Sequence, residues 1–178
     1  MALERQNVAG GAYSENTRWT YGDVGFVAIN QPGSNNKVNS ERECTDKIDR
    51  VSADCEDANA EYRGRDAKNV AWLRSAFDLA GKQDSKGVVI ITQGDRRFDL
   101  PETEGISERR GAAAVGMPRD GYTNFLNVIV DETLNYHGQV LFVHGDTHVF
   151  KIGKPLTSNA SDRDVREANG TILQNLRA

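Results

Sequence analysis

Hydrophobic residues concentrate in a few stretches separated by long polar ones. From Asp23 to Asn30, Val24, Phe26, Val27, Ala28 and Ile29 form a nearly continuous apolar run, which predicts a buried strand. Pro32-Gly33-Ser34-Asn35-Asn36 ends it. The fixed proline φ, a permissive glycine and two asparagines that tolerate the left-handed region together predict a turn or loop able to approach a ligand. Ala67, Val70, Leu73, Phe77 and Ala80 then recur at helical spacing, with Trp72, Ala76 and Leu79 widening the stripe and Gly81 supplying a stop. A second buried strand is predicted from Gly87 to Thr92, running into Gln93-Gly94-Asp95. A helix from Gly121 to Tyr136 follows, with His137 capping its end and Gly138 stopping it, and leads into the strand Val140–Val143.

Strands and helices alternating in this order predict right-handed crossovers in a mainly parallel sheet, hence an α/β fold with mainly buried strands. The intervening regions carry weaker signals. Residues 1–21 are polar and glycine-rich and predict little regular structure. Residues 38–57 read as a charged insertion holding a short helix, and Arg96 to Pro118 as a long loop. His148-Val149-Phe150-Lys151-Ile152 alternates like a partner strand entered through a turn at Gly145, and Ile172-Leu173 fits one more short strand or helix.

Charge removes one class of function. With 26 acidic against 22 basic residues and a formal charge of −4, the chain lacks the basic surface that nonspecific nucleic-acid binding requires. No apolar run approaches a membrane span and no signal peptide is evident, so a soluble chain is expected, its location open: cytoplasmic, or exported if a targeting segment has been lost. Cys44 and Cys55 fit either a disulfide or two inert thiols.

The densest chemistry sits at the end of the third strand. Val140-Leu141-Phe142-Val143-His144-Gly145-Asp146-Thr147-His148 is an apolar run that delivers two of the chain's three histidines, and an aspartate between them, to a glycine turn. His144, Asp146 and His148 are therefore the candidate metal ligands, with Asp146 and His148 the candidates for catalysis. Three donors from one loop hold at most one ion well, and none in the limit. Asn35, Asn36, Gln93 and Arg96, each just beyond a predicted strand, are candidates to orient a substrate, Arg96 by facing a phosphate.

The block Gln139 to Leu156 resembles the last conserved segment of the calcineurin-like metallophosphoesterases, where a buried strand ends in Gly-His-x-His and both histidines serve a two-metal centre. Here the block reads Gly145-Asp146-Thr147-His148, with aspartate, itself a hard oxygen ligand, in place of the first histidine. The strand ending in Gly33-Ser34-Asn35-Asn36, the helix with Asn69-Val70-Ala71-Trp72-Leu73-Arg74, the strand with Gln93 and the run Tyr122 to Leu126 extend the resemblance over about residues 13–156.

The resemblance implies part of a calcineurin-like α/β sandwich and a hydrolase of phosphate esters using Mn, Fe, Mg or Zn. It also implies an incomplete site. The early Asp-x-His, the Gly-Asp-x-x-Asp and the Asn-His-Asp/Glu blocks of that family do not occur, and Gly94-Asp95 is followed three positions later by Phe98. Residues 1–178 thus read as one domain corresponding to the C-terminal half of such an enzyme, weakly active or inactive alone. The alternative is a noncatalytic binding or structural module that keeps the scaffold without the metal centre. Its expected partner is a second copy or the missing N-terminal half. No Gly-x-Ser-x-Gly elbow, phosphate loop or dinucleotide fingerprint points to another hydrolase.

Overall fold

The computed structural model describes residues 2–38, 52–94, 120–145 and 171–173. Within them the chain forms a mixed α/β fold. Strands β1 (Glu4–Arg5), β2 (Thr17–Tyr21), β3 (Val24–Ala28), β4 (Gly87–Ile91), β5 (Gln139–Val143) and β6 (Thr171–Leu173) lie side by side in chain order. The helices are α1 (Gly33–Asn36), α2 (Ser52–Lys82) and α3 (Asp120–Asn135). β3, β4 and β5 run parallel, joined by α2 and α3, while β2 and β6 flank them antiparallel.

Strand alternation explains where the core lies. Val27, Ile90 and Phe142 are direct cross-strand partners and are 0%, 0% and 2% exposed. They pack under Leu73 and Phe77 of α2 and Phe125 and Ile129 of α3. Their neighbours Phe26, Val89 and Leu141 point to the other face and are only half-buried. The sheet is thus sealed on one face by two helices that also pack on each other.

Three stretches depart from the sequence reading. The first is the region 1–21, expected to lack regular structure, which holds β1 and the longer β2. β2 pairs with β3 through a two-residue turn in which Gly22 has φ +57°, the conformation a tight hairpin asks of its first central residue. Polar Arg18 faces the helices. Its guanidinium lies 4.3 Å from the Trp72 ring centroid, donates to Ser75 Oγ at 2.9 Å and holds Glu4 of β1 through two hydrogen bonds.

The second departure is α2, which begins at Ser52, inside the expected insertion, and runs one residue past Gly81. Its first half lacks an apolar stripe, so periodicity could not reveal it. It is supported instead by side-chain pairs such as Arg65 Nε with Glu61 at 2.8 Å, one turn apart. The third is the segment expected to be a loop at Gly33–Asn36, which closes one helical turn and leaves through Asn36 and Lys37 at φ +55° and +62°. Asparagine tolerates that region best among non-glycine residues. Ile172 and Leu173 resolve as strand, paired with Leu141 and Val140.

A buried amide cluster locks the hairpin to α2. Asn16 and Asn69 are both 0% exposed. Asn16 Nδ2 donates to Asn69 Oδ1 at 2.7 Å and to Gln6 Oε1 at 2.6 Å, its Oδ1 accepts from Asn30 N at 2.6 Å, and Asn69 Nδ2 donates to Asn30 O at 2.8 Å. Asn69→Ala leaves one Asn16 N–H unmet in the interior and is expected to cost about 1–3 kcal/mol, measurable by urea unfolding. An unchanged midpoint would show that water replaces the amide.

The expected strand at His148–Ile152, the whole of the expected loop Arg96 to Pro118, and the Cys44 to Cys55 pairing lie outside the described residues. Among those described, no helix is long and apolar enough to cross a membrane.

Candidate functional site

The parallel ladder continues one step beyond the strands that build it. Ile29 N donates to Ile91 O at 2.9 Å and Thr92 N to Val143 O at 2.9 Å. Past them, Gly94 N donates to Gln31 O at 2.7 Å and Gly145 N to Gln93 O at 3.1 Å. The Gln93 side chain turns back, its Oε1 accepting the Gly33 N–H at 2.8 Å. Gln93 therefore ties the start of α1 on one side to Gly145 on the other. Tyr122 Oη donates to Pro32 O at 2.9 Å and brings the start of α3 to the same edge. A Cβ on Gly94 would stand 2.6 Å from Pro32 O, so only glycine fits there.

The side chains proposed from sequence fare differently. Strand alternation places His144 on the helix-facing side after Val140 and Phe142. It is 7% exposed, with its ring 5.2 Å from that of Phe142. Asn36 is 0% exposed. Its Nδ2 donates to Gly121 O at 2.7 Å, its Oδ1 accepts from Arg65 Nη1, and its backbone O accepts from Arg65 Nη2 at 3.0 Å. In this arrangement the Asn36 amide joins α1, α2 and α3 and does not present itself to a ligand. Asn35 lies in α1, its side chain outside the description. Gln93 is exposed but serves as a pin. Arg96, Asp146 and His148 lie outside the described residues.

Among the described residues no group of three or more His, Cys, Asp or Glu side chains stands close enough to hold a metal ion. Of the three ligands named from sequence, His144 alone is described, and it faces the core. The described donors do not make a metal centre.

Gln31 and Asp66 are among the buried polar residues that sequence reasoning missed. Gln31, just past β3, is 0% exposed, and its side-chain amide has no hydrogen-bond partner among the described residues. The alternation Val27, Ile29, Gln31 was the available signal. Asp66, 4% exposed, sits in phase with Val70, Leu73 and Phe77 on α2 and accepts from Asn124 Nδ2 of α3 at 2.9 Å.

Burial raises the Asp66 carboxyl above its ordinary value of 3.8, opposed by the Asn124 hydrogen bond and the charge of Arg65. A raised folded-state value means that Asp66 favours folding while it is protonated, below 3.8, and that this contribution is lost as pH rises through the folded-state value. At neutral pH the buried charge is a cost. Asp66→Asn is thus expected to raise the melting temperature at pH 7, with the advantage shrinking toward acid pH in a thermal-melt series. An equal effect at every pH would contradict this assignment.

Compared with known proteins, the chain matches no family model, no curated protein and no solved structure.

Proposed function

We propose that the chain is a phosphate-ester hydrolase domain of the metallophosphoesterase kind, with its site at the carboxyl ends of β3, β4 and β5. The observation that carries this reading is the double tie made by Gln93, which draws the loops after all three parallel strands to one edge. Such edges are where α/β folds gather functional side chains. Gly145, pinned there, is followed immediately by Asp146, with His148 two residues on. In this reading Asp146 and His148 hold one divalent ion and activity is weak. Metal analysis after dialysis against Mn is expected to find about one ion per chain and far less in His148→Ala. Equal content in the two proteins would remove the assignment.

A second reading, a noncatalytic module on the same scaffold, is favoured by the inward-facing His144 and by the structural use of Asn36 and Gln93. The sequential strand order also places both long helices on one face, without the reversal that opens a crevice between loops. This reading expects a folded chain with neither metal nor hydrolysis, pairing with a second copy. A monomer at high concentration in sedimentation would count against the pairing.

A further inference from the structure

We infer that the groove between α2 and α3 is a binding site for a small organic cation, an ammonium or guanidinium group on a short apolar stem. The groove is lined by both helices, between Tyr62 and Arg74 of α2 and between Asn124 and Asp131 of α3. It has a volume of about 470 Å³, within the range of small-molecule sites.

Asp66 forms part of its lining. One carboxylate oxygen, Oδ2, takes the Asn124 N–H, while Oδ1 has no hydrogen-bond partner among the described residues. A carboxylate nine-tenths buried and short of a donor is costly to fold. A ligand carrying N–H donors and positive charge supplies what is missing. Ala67 and Val70 from α2 and Val128 from α3 form the apolar wall along which a stem can lie.

The charges select the sign of the ligand. Arg63 and Arg74 also line the groove, but each is already committed, Arg63 to Glu56 at 2.9 Å and Arg74 to Glu132 at 2.5 Å. Arg65, next to Asp66 in sequence, spends its guanidinium on Glu61 and Asn36. Asp66 and Asp131 add negative charge to the lining, and neither is in a described ion pair with a lysine or arginine. An anion would meet a buried carboxylate, whereas a cation meets its complement.

The test is a titration of the full chain with agmatine at low salt, following the side-chain amide signals of Asn124 and Asn127 by NMR. Saturable shifts are expected. Asp66→Asn should weaken binding about tenfold or more, the loss expected for one hydrogen bond to a charged group. Ala67→Trp, at an exposed position of the lining, should block the groove, and Asp23→Asn, on the β2–β3 turn, should leave binding unchanged. n-Pentanol, which carries a stem with neither of the two positive charges of agmatine, should bind more weakly than agmatine. The inference is overturned by an absence of saturable shifts, by equal binding to an Asp66→Asn protein of unchanged circular dichroism, or by pentanol binding as tightly as agmatine.

Discussion

Phe125→Ala is expected to destabilise the protein by about 3–5 kcal/mol, the range for emptying a buried aromatic site. Phe125 is 0% exposed and belongs to the cluster that joins α3 to α2 and the sheet, including Leu73, Ile90 and Phe142. The ring sits where three elements meet, so no single element can move in to fill the space. The two helices contact each other as well as the strands, and collapse on one side opens a gap on the other. For a domain of this size the loss corresponds to a fall in melting temperature of roughly 10 °C. Phe125→Leu retains most of the volume and should recover more than half of it. A loss below about 1 kcal/mol for Phe125→Ala would mean that α3 is not docked as described.

Gly94→Ala is the second large effect, and it acts on the strand ends. An added Cβ would meet Pro32 O at 2.6 Å, Pro32 C at 2.9 Å and Gln31 O at 3.0 Å. These are backbone atoms held by the Gly94 N to Gln31 O bond itself, so relief requires the segments after β3 and β4 to separate. Overpacking of this kind costs about 1–3 kcal/mol, and the upper end is expected because no flexible side chain can yield. The Gln93 tie to Gly33 would weaken with it. On the hydrolase reading, activity should fall more than stability alone explains when both are measured below the unfolding transition. Gly81→Ala is the control, since its added Cβ meets nothing within 4 Å.

The elements legible in the sequence were those whose apolar residues face the core without interruption. β3, β4, β5 and α3 lie within about two residues of their expected bounds, because β-branched runs and glycine stops mark them locally. β2 was hidden because the residues it turns toward the helices are polar: Thr20, which donates to Gln83, and Arg18, whose stem packs while its head reaches Glu4 and Ser75. The first half of α2 was hidden for a related reason. Arg65 and Asp66 occupy inward-facing positions at its end, buried through hydrogen bonds to partners remote in sequence, which no local pattern records.

The candidate site was legible as chemistry more than as geometry. His144 was conspicuous as a histidine beside a glycine, yet the period-two alternation of β5 aims it at Phe142. Gln93 stood out as a polar residue after a strand. Its role as the link between Gly33 and Gly145 depends on two crossovers that only the fold brings together. Asn36 was flagged for its tolerance of the left-handed region, and it does adopt φ +55°. Its burial beneath Arg65 could not be read from the asparagine pair.

On the proposed hydrolase reading, the site lies at the edge where Gln93 gathers the three loops. Hydrolysis of p-nitrophenyl phosphate and its bis-ester by the full chain, with and without added Mn, tests it most directly when His148→Ala is run in parallel. Hydrolysis is expected to depend on added Mn and to fall about tenfold or more in His148→Ala, the order of effect seen when a group acting at the reacting centre is removed. Hydrolysis unaffected by that substitution would contradict the site. No hydrolysis by a well-folded chain, with or without Mn, would contradict the hydrolase reading itself.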